Sequence, residues 1–100
     1  MAFVEVAGAG DLKPGQGKVV SANGIEIALF NVDGTFYAIE NTCPHRGGPL
    51  GEGMIDGNNV ICPWHGWQFD VTTGKSPFMP VGVKTFEVKV EGEDIFVNVD

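Results

Sequence analysis

The chain has two cysteines and two histidines in all, and the four fall within one short stretch. Cys43-Pro44-His45 opens it, sixteen residues intervene, and Cys62-Pro63-Trp64-His65 closes it. Taken singly, each has an ordinary role. The cysteines could be bridged, though a reducing compartment disfavours that, or could be buried thiols. The histidines could be polar loop residues. Taken together they form a pattern, because each of two Gly/Pro-rich loops begins Cys-Pro and carries a histidine two or three residues on. That points to metal binding.

The spacing bears on which metal. A structural zinc site uses four tetrahedral ligands, commonly with two to four residues between members of a pair. Cys62-x-x-His65 fits that rule, but Cys43-x-His45 is tight for one ion. The tight pair makes more sense if sulfur and imidazole bind neighbouring metals a few ångström apart. Two thiolates would then hold one iron and two imidazoles the other, which is a [2Fe–2S] cluster with histidine replacing cysteine on one side.

These loops need a scaffold, and the remaining residues read as strands. Phe3 to Ala7 alternates apolar and polar. Gly8 to Gly17 is a loop containing Asp11-Leu12-Lys13-Pro14-Gly15. Lys18–Ser21, Ile25–Val32 and Thr35–Glu40 read as three strands of an antiparallel meander, joined by a hairpin turn of the primed type at Asn23-Gly24 and a tight turn at Asp33-Gly34. Asn41 to Leu50 is a loop. Gly53–Asp56 and Val60–Cys62 make a small hairpin about Gly57-Asn58-Asn59, and Pro63 to Trp67 is a second loop leading into Gln68–Val71. Ser76 to Pro80 cannot be ordinary ladder strand, because its prolines lack donors. Val83–Val90 and Ile95–Val99 form a last hairpin. No helix longer than about two turns is predicted. The expected fold is all-β: one domain over residues 1–100, an antiparallel sandwich or barrel with a small cluster-binding lobe inserted at about residues 42–68.

Composition narrows the function. One hundred residues suffice for one core. Thirteen acids against six bases give a net charge of −7, which argues against nucleic acid. Such acidity suits docking to a basic patch on a partner, or serves solubility alone. No apolar run approaches membrane-spanning length, and the start lacks the features of a signal peptide, so a cytoplasmic protein is expected.

At this point the residues match a known family. Cys43-Pro44-His45 with Cys62-Pro63-Trp64-His65-Gly66 resembles the Rieske iron–sulfur signature, Cys-x-His…Cys-x-x-His. Nearly the whole chain resembles the free Rieske ferredoxins of bacterial aromatic-ring dioxygenase systems. The resemblance implies one [2Fe–2S] cluster, with Cys43 and Cys62 on the inner iron and His45 and His65 on the outer iron near solvent. It also implies that the proline-rich segment Ser76 to Pro80 covers the cluster.

Charge counting says what the histidines do. Two thiolates and two neutral imidazoles around an oxidised core sum to zero, whereas four thiolates leave a net negative site that resists an added electron. All-cysteine plant-type clusters lie near roughly −400 mV and Rieske clusters span about −150 to +300 mV. Respiratory and photosynthetic Rieske proteins resemble this motif but add a cysteine to each loop, bridged as a disulfide. The matching positions here are Gly48 and Trp64. Those proteins also place Ser and Tyr hydroxyls near cluster sulfurs where this chain has Trp67 and Phe69. Fewer donors place the expected midpoint at the low end of the Rieske range. If the imidazoles reach solvent, the midpoint falls at alkaline pH. Gly47, Gly48 and Gly66 are either turn glycines or let the backbone approach the sulfurs and donate N–H groups to them. Trp64, Trp67, Phe69, Tyr37 and Met79 are assigned to packing, and Pro44 and Pro63 to stiffening the loops.

The sequence shows no nucleophile–base pair, no phosphate-cradling glycine motif and no open mononuclear iron site. The expected role is therefore a one-electron carrier rather than an enzyme. By resemblance, it takes electrons from a flavin-containing, NAD(P)H-linked reductase and delivers them to a terminal oxygenase. The chain also looks like the Rieske-type small subunit of a nitrite reductase. A more distant alternative is a zinc-stabilised interaction module.

Overall fold

The computed structural model describes residues 3–43, 47–64, 66–77 and 80–99. Among these described residues ten strands are formed: β1 (Phe3–Gly8), β2 (Gly17–Ala22), β3 (Ile25–Val32), β4 (Thr35–Glu40), β5 (Met54–Asp56), β6 (Asn59–Ile61), β7 (Gln68–Asp70), β8 (Thr85–Phe86), β9 (Val88–Glu91) and β10 (Asp94–Asn98). Two single 3-10 turns, Ala9–Asp11 and Leu50–Glu52, interrupt the loops. The first was not visible in the sequence, where Gly8 to Gly17 reads only as loop. Among the described residues no helix is long and apolar enough to cross a membrane.

The strands make three antiparallel sheets, ordered β1-β10-β9, β2-β3-β4-β8 and β5-β6-β7. The meander forms as its turn residues dictate. Asn23 and Gly24 take φ of 51° and 78°, and Asp33 and Gly34 take 52° and 92°, so both central residues of each turn are left-handed. Strand β3 shows why the sheets stack. From Ile27 to Val32 every residue is buried. Because side chains alternate in direction, Ala28, Phe30 and Val32 enter one core while Ile27 and Leu29 enter another. The first core joins this sheet to the lobe through Leu50, Val60, Phe69 and Val71. The second joins it to the terminal sheet through Ile95, Val97 and Leu12. The meander is thus the middle layer, and the lobe β5-β6-β7 packs on one face of it.

One expectation changes. Residues 83–90 read as a single strand, but the chain forms β8 and β9 with a break at Glu87. Phe86 and Thr85 pair with Ala38 and Ile39 of β4, whereas Val88 pairs with Val97 of β10. At the break the Glu87 carbonyl accepts the Asn98 N–H at 2.9 Å. A uniform alternation hides this, because the strand changes partner without changing its pattern.

Candidate metal centre

Each cysteine begins a tight loop, and the two loops are closed in the same way. In the first, the Cys43 N–H donates to the Gly48 carbonyl at 2.9 Å, and the Gly47 N–H donates back to the Cys43 carbonyl at 2.7 Å. In the second, the Cys62 N–H donates to the Trp67 carbonyl at 2.7 Å, and the Gly66 N–H donates to the Cys62 carbonyl at 3.0 Å. The cysteine therefore bonds the residue five places on, and its carbonyl takes the amide four places on, in both. That fourth residue is Gly47 in one loop and Gly66 in the other, with φ of 75° and 76°. A left-handed residue is needed to close so short a turn, and glycine adopts it without steric cost. For Gly47 and Gly66, the turn-glycine reading holds, since their amides are engaged by cysteine carbonyls.

Each loop is anchored to a sheet. The first is rooted at Asn41, which follows β4 and is 5% exposed. Its backbone carbonyl accepts the Leu50 N–H at 2.7 Å and its side-chain Oδ1 accepts the Gly51 N–H at 2.8 Å. Thr42 and Pro49 form a bridge one step further in. The second loop is carried by the β6–β7 ladder, where Ile61 faces Gln68. Asn41 had no place in the sequence argument, because nothing local marks an asparagine as an internal acceptor.

The anchoring buries the sulfurs. Cys43 is 1% exposed and Cys62 3%, both belong to the core cluster between the lobe and β3, and no disulfide joins them. Gly48 is where the loops meet. A Cβ there would stand 2.8 Å from Cys62 Sγ, closer than real side chains tolerate, and 3.2 Å from Cγ and Cδ2 of Trp64, tighter than most. Gly48 meets the approach half of the second reading offered for these glycines: its missing side chain lets the first loop come close to the second loop's sulfur. On another flank of Cys62 lies a shallow hollow of about 440 Å³, lined in part by Met54, Pro63 and Gly66.

The aromatic residues divide. Phe69 is fully buried, and Trp67 and Tyr37 pack on the same cluster from partly buried positions. Trp64 departs from its expected packing role, with 56% of its surface exposed. His45 and His65, with Pro44, Arg46 and Met79, lie outside the described residues. In sequence, each histidine falls between the cysteine and the left-handed glycine of its loop, at the third position in one and the fourth in the other. Of the proline-rich segment, Lys75 bridges to Gly82 and the Ser76 N–H donates to the Val81 carbonyl at 3.1 Å.

Comparison with known proteins agrees with this geometry. The family profile described as the Rieske [2Fe-2S] domain matches residues 2–88. The ferredoxin component of the naphthalene 1,2-dioxygenase/salicylate 5-hydroxylase systems of Ralstonia sp is 34% identical over 100 residues, covering 98% of this chain and 96% of that protein. Among solved structures, a chain in the complex of reduced oxygenase and oxidised ferredoxin of carbazole 1,9a-dioxygenase is 36% identical, with a TM-score of 0.88. That match covers 95% of this chain and all of the other. A protein from Mycobacterium tuberculosis described as a candidate NADH-dependent nitrite reductase small subunit is 26% identical with a TM-score of 0.90, covering 96% of this chain and 93% of that one.

Proposed function

The chain belongs to the Rieske [2Fe-2S] domain family, and from that membership we propose that it is the ferredoxin component of a multicomponent oxygenase system. It carries electrons and does not itself catalyse the oxygenation. The observation that carries the reading is the matched pair of loops: two buried thiols at equivalent positions of one repeated backbone geometry, in a single core cluster. Sulfur donors held in that way fit the thiolate half of a mixed sulfur–imidazole set.

We assign Cys43 and Cys62 as the thiolate ligands and His45 and His65 as the imidazole ligands of one [2Fe–2S] cluster. When bound, that cluster supplies one-electron redox chemistry at a potential raised above the all-cysteine kind. The chain's own contribution is to hold the donors. Asn41 and the β6–β7 ladder fix the loop roots, Gly47 and Gly66 close the turns, and Gly48 permits the close approach at Cys62. Residues 1–100 act as one domain, with the lobe at about 42–68 as its redox end.

The partners follow from the relatives' systems: a flavin-containing, NAD(P)H-linked reductase upstream and a terminal oxygenase downstream, in the cytoplasm. The nitrite reductase subunit is the weaker reading, since its structural counterpart is 26% identical against 36% for the carbazole dioxygenase complex. Co-purification with a large sirohaem subunit would reverse that order. The test of the carrier reading is EPR of the dithionite-reduced protein with iron and sulfide quantitation. Two irons, two sulfides and a lowered average g-value are expected, and zinc without iron would reject it. Cys43→Ser and His65→Ala should each lose the chromophore. Full colour in either would show the ligand assignment to be wrong.

A further inference from the structure

Trp64 is an odd residue for its place. It is the larger part exposed, whereas Trp67, three residues on, packs on the core. Burial therefore gives little reason for an indole at this position. Its contacts give one. The five-membered part of the ring and Cys62 Sγ crowd the same point beside Gly48, at 3.2 Å and 2.8 Å from where a Cβ would stand. Gly48 belongs to the first loop and Trp64 to the second, so this contact ties one loop to the other. A methyl group on Gly48 would collide with the Cys62 sulfur. Pro63 and Gly66, which line the hollow on the far flank of Cys62, are themselves exposed.

We infer that Trp64 is a positioning residue: its indole, laid on Gly48, clasps the two loops together and keeps water from the Cys62 sulfur, and thereby helps to set the reduction potential of the site. The inference rests on the carrier reading above. Reduction adds negative charge, much of it felt at the thiolates, and water at a sulfur stabilises that charge. A dry wall withholds the stabilisation and holds the potential down. Removing the wall should raise it. Met54 is a natural control, since it lines the hollow beside Cys62, is 76% exposed and is absent from the Gly48 contact.

The experiment compares Trp64→Ala, Trp64→Phe and Met54→Ala with the parent protein by redox titration of the loaded chain. The expected result is an upward shift in Trp64→Ala, at most a tenfold change in the reduction equilibrium, or about 59 mV for one electron. Trp64→Phe should return most of the shift, and Met54→Ala should leave the midpoint where it was. Iron loss to a chelator should accelerate about tenfold in Trp64→Ala, the low end of what removing a ligand's supporting neighbour costs. An unchanged midpoint overturns the inference, and so does faster iron loss without a shift, which would mark a purely structural role. A second measurement does not need the cluster. In the metal-free full chain, iodoacetamide should label Cys62 faster in Trp64→Ala while Cys43 labels at the parent rate, and equal labelling of Cys62 overturns the inference as well. A parent protein that takes up no iron or sulfide would instead sink the carrier reading, and the labelling comparison would still judge Trp64.

Discussion

Asn41→Ala tests how the first loop is held. The substitution keeps the backbone carbonyl that accepts the Leu50 N–H but deletes the Oδ1 that accepts the Gly51 N–H. Gly51 is buried, and its surroundings are full, since a Cβ there would stand 2.7 Å from Val19 Cγ2. The buried amide left without its Asn41 acceptor should cost about 1–3 kcal/mol. For a domain of this size each kcal/mol lowers Tm by about 4–8 °C, so a cost of about 2 kcal/mol becomes roughly 8–16 °C. Asn31→Ala supplies the control. Asn31 is 4% exposed and uses its amide similarly, donating to the Leu12 carbonyl at 2.8 Å and accepting the Gly34 N–H at 2.8 Å, but it braces loops remote in sequence from the cysteines. Both variants should melt earlier by comparable amounts. Compared at equal distance below their own Tm, only Asn41→Ala should release iron to a chelator faster than the parent. A Tm change under about 2 °C for Asn41→Ala, or matching release rates in the two variants, would refute the view that this side chain holds the loop root.

The lobe offers two further tests. A Cβ on Gly53 would run into the Ile61 carbonyl oxygen, so Gly53→Ala must push β5 from β6, at a cost of about 1–3 kcal/mol or more by urea denaturation. An unaltered urea midpoint would show that this hairpin yields more easily than its packing implies. Leu29→Ala and Phe69→Ala probe the two cores separately and should cost about 2–5 and 3–5 kcal/mol. Only Phe69→Ala, whose cluster contains both cysteines, should also alter the visible spectrum, and an equal spectral change in Leu29→Ala would deny that the cores are distinct. Redox titration of the parent should give a midpoint at the low end of the Rieske range; a clearly positive value would contradict the account of missing hydroxyl donors.

Much of this was legible in the residues themselves. Asn23-Gly24 and Asp33-Gly34 fixed the meander, because few dipeptides accept two left-handed conformations in succession. The spacing singled out two cysteine loops, and the structure brings Cys43 and Cys62 of those loops into one core cluster. What was hidden depends on contacts distant in sequence. The break at Glu87 follows from a change of partner strand that alternation cannot encode. The exposure of Trp64 runs against the usual burial of large aromatics, and its approach to Gly48 of the other loop is a contact that local sequence does not encode. The task of Asn41 required knowing that Gly51 folds back beside it. The shared Cys-Pro openings made the two loops look alike in sequence, but their matching closing bonds, at the fourth and fifth residues after each cysteine, could not be read from it.

The segment from Lys84 to Val88 behaves like one thread sewn through two panels. Glu40 and Lys84 exchange bonds at one end, with the Glu40 N–H given to the Lys84 carbonyl at 2.9 Å and the Lys84 N–H to Glu40 Oε1 at 2.6 Å. At the other end, Val88 is laced to the final strand. Neither panel can come loose while the seam holds, so heat should take the middle and terminal layers apart together, in a single calorimetric peak. On the proposed reading, in which the carrier meets two partners in turn, it is thereby kept to one shape between encounters.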